Sequence, residues 1–532
     1  MKPQYFKNWI TAWQWPVRIG LFLMLLSGLM QLGMFVMTQN YLVGYLGAQP
    51  EDISFAVMST YAGIITVLPA QFRFFRYFEP RSSLLVSMMA GIGLNFLSLH
   101  CQDINLFLVL RFVQGMVAAN VIVFSLMLIF SRIEPGRMQT IGPAVFYGTM
   151  LSNTVLIGLV GGIVVESVDW KVTFDYLILL EVITMFIALV MLRGSTEHKR
   201  YPLYQIDWCG MIIFAFSALG LSYTVIYGSK YYWLADRRIC YSSLITVIGV
   251  CLFLYRQRLV KRPVIDLGVF KSLNFVIAVG LLAVYYVSKD SINLIYNYAG
   301  GMLRWSTFQV MELGLCNMIG MVAVLTFSVQ MLLRKKVTIK LLLVVGFLLM
   351  GAFNVWMCAL LTSDLSFIDL LAPVFLQGAA SGLLFVPLMI YVLSSAPANT
   401  GMSGLIVGAC TRFTGTLLSI AGFYNLQLYF NQYFKEGFLG YLTLENQNAI
   451  VRLNTYNSFY TSKGFTLQQG AVLGNMSISQ SLAQQSQLLT NRAIFMAFGV
   501  GMFVLTILII VVPILRKIVK LTTRRWTADV KS

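Results

Sequence analysis

Charged side chains stand well inside otherwise apolar runs of this 532-residue sequence, among them Arg111, Glu181, Lys289, Asp290 and Arg412. A charge at such a place is costly in a bilayer and faces a cavity or a partner. Burial disfavours the charged form of a carboxylate, and a nearby cation favours it. A carboxyl group that exchanges those surroundings can therefore couple protonation to conformation. Asp290 and Glu181 are the acidic residues near the middle of a run, whereas Asp207 and Glu312 lie nearer the ends. Asn293 and Asn297 recur at i+3 and i+7 from Asp290, so 288–297 reads as a polar face lining a cavity. Sequence neighbours do not face each other on a helix, so Lys289 is expected to pair elsewhere, with a structural Lys289–Asp290 pair as the plainer alternative. Glu181 sits in an otherwise apolar run and reads more readily as a packing carboxylate bonded to a neighbouring helix. Arg111, Asp290 and Glu181 are thus the proton-coupling candidates. Gln31, Gln114, Lys289, Asn293, Asn297 and Arg412 are candidates for lining a substrate cavity. For Gln31 an ordinary helix–helix hydrogen bond is an equal alternative, and Arg412 fits either an anchor at one membrane face or a cavity cation.

The elements that must position these residues are membrane spans. The chain is 58% apolar and only 11% charged, where a soluble protein runs near 45–50% and 25%. That composition excludes a soluble enzyme, a disordered chain and a nucleic-acid binder. Apolar runs long enough to cross a bilayer lie at roughly 18–38, 53–70, 82–100, 104–130, 140–165, 173–193, 207–228, 238–255, 273–298, 307–331, 338–361, 367–393, 401–428 and 493–516. Fourteen spans with both ends inside place 25 Lys and Arg residues on the inner side and nine on the outer, the asymmetry expected of a membrane protein. The net charge of +18 follows from that bias rather than from a nucleic-acid partner. Residues 430–491 read as a long, polar outer loop rich in Gln, Asn and Ser, in which 473–489 could form a helix.

The seven cysteines form no CxxC pair and read as small buried residues without metal or disulfide work. With two histidines, His100 and His198, at run ends, no metal site or cofactor is expected. The first apolar run has no small-residue cleavage site after it, so no cleaved leader is expected. No G-x-x-x-x-G-K-[ST] phosphate loop occurs, so a gradient rather than ATP is the expected energy source.

Several motifs point the same way. Arg111-Phe112-Val113-Gln114-Gly115 in the fourth span resembles the R-x-x-Q-G motif of the major facilitator superfamily, whose arginine is linked to proton coupling. Gly148, Gly158, Gly161 and Gly162 in the fifth span, followed by Trp170 and Phe174, resemble the glycine-rich antiporter motif of drug:proton exporters. Small residues of this kind also serve ordinary close packing. Stretches 206–210 and 262–270, then Gly378, Gly382, Pro387, Gly401, Gly404, Arg412 and Gly415, resemble the fourteen-helix, EmrB-like branch up to about residue 428. Three departures accompany the likeness. The branch's first-span aspartate falls on Gln31, the acidic residue of the loop after the second span is lost at 70–76, and Ile157-Gly158-Leu159 stands where G-P is expected.

The resemblance implies an all-α major facilitator fold. It would have an N-terminal six-helix bundle over 1–200, two linker helices over 201–262 and a C-terminal bundle over 263–532. It implies export of hydrophobic or amphipathic drug-like compounds across a bacterial inner membrane by proton antiport, with both termini cytoplasmic. It also implies a periplasmic membrane-fusion adaptor and an outer-membrane channel as partners. The departures keep open uniport, or export of a lipid, siderophore or metabolite. A non-transporting scaffold is the third reading, and buried charges argue against it.

Overall fold

The computed structural model describes residues 5–511 except 12, 38, 134–139, 151–170, 195–201, 335–336, 398–399, 401 and 444. Among these, thirteen helices are long and apolar enough to cross a membrane. The expected fifth span is helical over the part described, 140–150. Gly158, Gly161, Gly162 and Trp170 lie outside the described residues.

In chain order the helices are α1 (Asn8–Thr11), α2 (Gln14–Met37), α3 (Gln39–Leu46), α4 (Pro50–Tyr77), α5 (Pro80–His100), α6 (Ile104–Arg132), α7 over 140–150 and α8 (Val172–Met191). A linker pair follows, α9 (Trp208–Tyr227) and α10 (Arg237–Leu259). Then come α11 (Leu273–Lys289), α12 (Ile292–Gly301), α13 (Thr307–Leu333), α14 (Ile339–Leu360), α15 (Phe367–Ser395), α16 (Ser403–Leu439), α17 (Gln447–Ser462) and α18 (Leu467–Val511). Local chemistry sets the starts. Pro50 and Pro80 occupy first turns, where a missing N–H costs nothing. Asp103 caps α6 by accepting from the Asn105 amide, and Ser306 with Gln309 forms a capping box on α13.

In the N-terminal half α4 packs on α6, α5 on α8, and α2 on both α6 and α8. In the C-terminal half α13 packs on α15, and α14 on α15 and α18. The linker helices pack on each other, and α9 lies against α4. Two crossings are unusually close. A Cβ on Gly115 would strike the Thr60 carbonyl, and one on Gly63 would strike the Phe112 carbonyl. A Cβ on Gly378 or Gly382 would strike the carbonyl of Asn317 or Met321. Glycine is required here because backbone approaches backbone across the crossing. The α6 sequence Phe112-Val113-Gln114-Gly115 and the α15 sequence Phe375-Leu376-Gln377-Gly378 repeat each other at this contact.

Three expectations need correction. Residues 430–491 are helical for most of their length rather than a loop. The α16 helix runs on to Leu439, and α17 packs against the first half of the 45-residue α18. Amide pairs bridge α16 and α18, Asn431 to Gln487 at 2.9 Å and Gln427 to Asn491 at 3.4 Å, so a polar composition here builds a helix pair. The ninth span is two helices, broken at Asp290–Ser291. Finally, Cys209, Cys240 and Cys251 are exposed on the linker helices rather than buried, while Cys101 alone is buried.

Candidate functional site

Among the described residues the buried charged side chains are Arg111, Glu181 and Asp207, at 2%, 4% and 9% exposure. Asp207 caps α9 and pairs with Arg256 of α10 at 2.7 Å, a contact internal to the linker pair. Arg111 and Glu181 belong to one network inside the N-terminal bundle. Arg111 Nη1 donates to Gln114 Oε1 at 2.7 Å, one turn along α6. Gln114 Nε2 donates to Gln31 Oε1 on α2 and to Asn95 Oδ1 on α5, the latter at 2.6 Å. Gln31 Nε2 then donates to Glu181 Oε1 on α8 at 2.7 Å, and Asn95 Nδ2 donates to Oε2 at 3.1 Å. Four helices thus share one polar knot. Gly91, one turn before Asn95, leaves the room that the carboxylate fills, because a Cβ there would collide with Glu181 Oε1.

The second cluster is built by α11, α15 and α16. At the break in the ninth span, Lys289 Nζ pairs with Asp290 Oδ1 at 2.7 Å, and Ser419 Oγ of α16 donates to Asp290 Oδ2 at 2.7 Å. The expectation that Lys289 pairs elsewhere is overturned. It assumed a continuous helix, and the helix stops at Lys289. The same break removes Asn293 and Asn297 from Asp290's face. Both are exposed on α12, and Asn297 borders a cleft of about 410 Å³ shared with Gln480, Gln484, Gln487 and Asn491. On the other side of the break Gln377 Nε2 donates to the Lys289 carbonyl at 2.8 Å, and Asn317 Nδ2 donates to Gln377 Oε1 at 2.6 Å.

Contacts across the bundles complete the site. Arg412 Nη2 of α16 donates to the Tyr61 hydroxyl of α4 at 3.2 Å, with its guanidinium 5.5 Å from that ring's centre. Arg412 therefore links α16 to α4 of the other half. Tyr147 of α7, fully buried, stacks on Phe385 of α15 with ring centres 3.6 Å apart and shares a hydroxyl hydrogen bond with Tyr285 of α11. Gly148 beside it lies 3.8 Å, as a built Cβ, from Leu325 of α13.

The structure brings Arg111, Gln114, Gln31 and Glu181 together, and Lys289 with Asp290, but it does not join the two sets. Sequence reading missed Asn95, Gln377 and Asn317. The four-residue spacing of Gly91 and Asn95 in the third span, and the repeat of Gln114-Gly115 at Gln377-Gly378, were the available signals.

No protein-family profile matches the chain. It is 22% identical over 487 residues to the probable multidrug resistance protein EmrY of Escherichia coli K12, covering 88% of this chain and 89% of that protein. Similarity to the multidrug export protein EmrB of the same organism is 22% over 60% of this chain and 61% of EmrB. The colistin resistance protein EmrB of Acinetobacter baumannii is 28% identical over 36% of this chain and 37% of its own length. The chain is thus similar, along most of its length, to the EmrB-like multidrug exporters. Its fold agrees with those of solved transporters. The POT family transporter PepTSo superposes at a TM-score of 0.51 with 12% identity, over 92% of this chain and 99% of that one. The human organic anion transporter MFSD10 superposes at 0.50 with 13% identity, over 93% and 98%. Relatives and structural neighbours alike are transporters rather than enzymes.

Proposed function

We propose that the protein exports hydrophobic or amphipathic drug-like molecules across a bacterial inner membrane in exchange for protons. The observation that carries this reading is the Arg111–Glu181 network, a carboxyl and a guanidinium buried together in one spanning bundle. Packing alone gains little from two costly charges, whereas a proton-driven cycle needs a group of this kind. The likeness to multidrug exporters over most of the chain supports the substrate class. Lys289 and Asp290, beside α16, and Arg412, which links α16 to α4, are the polar groups placed to meet a substrate as the halves rock about a central site.

Two finer statements belong to the same proposal. The basic-residue bias supports cytoplasmic termini, which puts the α16–α17–α18 extension on the periplasmic side. That extension carries exposed Tyr433, Tyr441, Val451 and Phe459. It is the surface on which a membrane-fusion adaptor leading to an outer-membrane channel would dock.

A strain lacking the gene and its redundant exporters should become at least about fourfold more susceptible to several hydrophobic or amphipathic drugs, with restoration by the parental gene. Unchanged susceptibility across a broad panel would remove the drug-export reading.

A further inference from the structure

The two end groups of the N-terminal network dictate the direction of every hydrogen bond in it. A guanidinium can only donate and an ionised carboxylate can only accept. Arg111 therefore fixes the Gln114 amide with its oxygen toward α6's own guanidinium and its nitrogen toward Gln31 and Asn95. Those two amides are fixed in turn, each with its oxygen toward Gln114 and its nitrogen toward one carboxylate oxygen of Glu181. Two parallel arms, through α2 and through α5, carry one polarity from α6 to α8.

We infer that Glu181 is the proton-binding group of the exchange cycle, and that the Gln31 and Asn95 arms transmit its protonation to the helix that carries Arg111. This rests on the exporter reading and deepens it. A proton from water on one side adds to a Glu181 oxygen, and the same proton later leaves to the other side. While bound, it turns an acceptor into an O–H donor facing an amide NH₂. Flipping that amide restores the bond at Glu181 but turns its NH₂ toward Gln114 Nε2. Gln114 cannot flip to accept it, because Arg111 has no acceptor to offer. One link must open: at Glu181 while the amide stays, or between α6 and α2 or α5 once it flips, and in the flipped state proton uptake loosens the helix that crosses α4 at Gly63 and Gly115.

The groups facing Glu181 from the helices packed on it are Gln31 from α2 and Asn95 from α5, with Arg111 beyond them on α6 as the buried cation among the described residues. Asp290 is differently placed, with one oxygen on the Lys289 ammonium and the other on the Ser419 hydroxyl. The Glu181 carboxylate reaches Gln31 of α2 from α8.

The geometry makes the carboxylate exchangeable across one hydrogen bond. In Gln31→Glu/Glu181→Gln the new carboxylate still accepts from Gln114 and from the amide opposite, so the polarity survives. Efflux driven by a pH gradient should fall at least about tenfold in Glu181→Gln, the rate equivalent of about 1.4 kcal/mol. It should return to within about threefold of the parent in the double variant. Infrared difference spectra of the purified protein between acid and alkaline pH, without substrate, should show a buried carboxyl band that Glu181→Gln loses and the double variant regains. That band reads proton binding whether or not a drug is transported, so it separates failure of this inference from failure of the exporter reading. Full pH-driven efflux in Glu181→Gln, or survival of the band, would overturn the assignment. If the single variant does not fold, a double variant that folds yet lacks both band and coupling overturns it equally.

Discussion

Arg111→Ala should lower pH-driven efflux by about 100-fold, the rate equivalent of about 2.7 kcal/mol, while the protein still reaches the membrane. The guanidinium is the origin of the hydrogen-bond polarity that runs through Gln114 to Glu181. Without it the Gln114 amide can take either orientation, and a proton on Glu181 no longer forces a link to open. Removing one member of a buried charged network is costly because the other charge stays behind. Arg111→Lys keeps the charge but offers a point cation in place of a planar fork, and should recover only part of the rate. Transport assays on reconstituted protein at matched protein content measure this, and parental rates in Arg111→Ala would show that the network is only packing.

The second large effect is structural. Gly115→Leu and Gly378→Leu should each abolish folded, monodisperse protein, because the added side chain meets the Thr60 or Asn317 carbonyl and not a side chain that can move. Overpacking a well-filled core costs about 1–3 kcal/mol, and a backbone-on-backbone collision lies at or beyond the upper end of that range. Gly93→Ala is the control on a neighbouring helix, since nothing lies within 4 Å of its built Cβ, and it should behave as the parent. Size-exclusion profiles and thermal unfolding of the purified variants decide the matter. Stable Gly115→Leu protein would mean that α4 and α6 do not cross so closely.

Much of this architecture was legible because the bilayer simplifies the code. Apolar runs of about twenty residues and the placement of Lys and Arg are enough to lay out spans such as Pro80–His100 and Ile339–Leu360 to within a few residues. Arg111 and Gln114 stood out for the same reason, as costly groups in an apolar run. Asn95, which reaches Glu181 from α5, did not, because a lone asparagine in an apolar run resembles any other polar residue. The break at Asp290–Ser291 carries no proline or glycine to announce it. It is held by Gln377 reaching the Lys289 carbonyl from α15, a tertiary contact that helical periodicity cannot reveal. Treating 288–297 as one continuous face therefore misplaced Asn293 and Asn297 and misread Lys289. The outer segment was misread for the opposite reason. Its Gln and Asn residues look like a loop by composition, yet the Asn431–Gln487 and Gln427–Asn491 pairs fasten two helices to each other.

Proton-coupled export is tested most directly in liposomes containing only this protein and a fluorescent amphipathic drug. Imposing a pH gradient at zero membrane potential should drive drug accumulation on the more acidic side, with proton movement in the opposite direction, and a protonophore should abolish both. Drug movement that proceeds equally with and without the gradient, with no accompanying proton flux, would contradict the account.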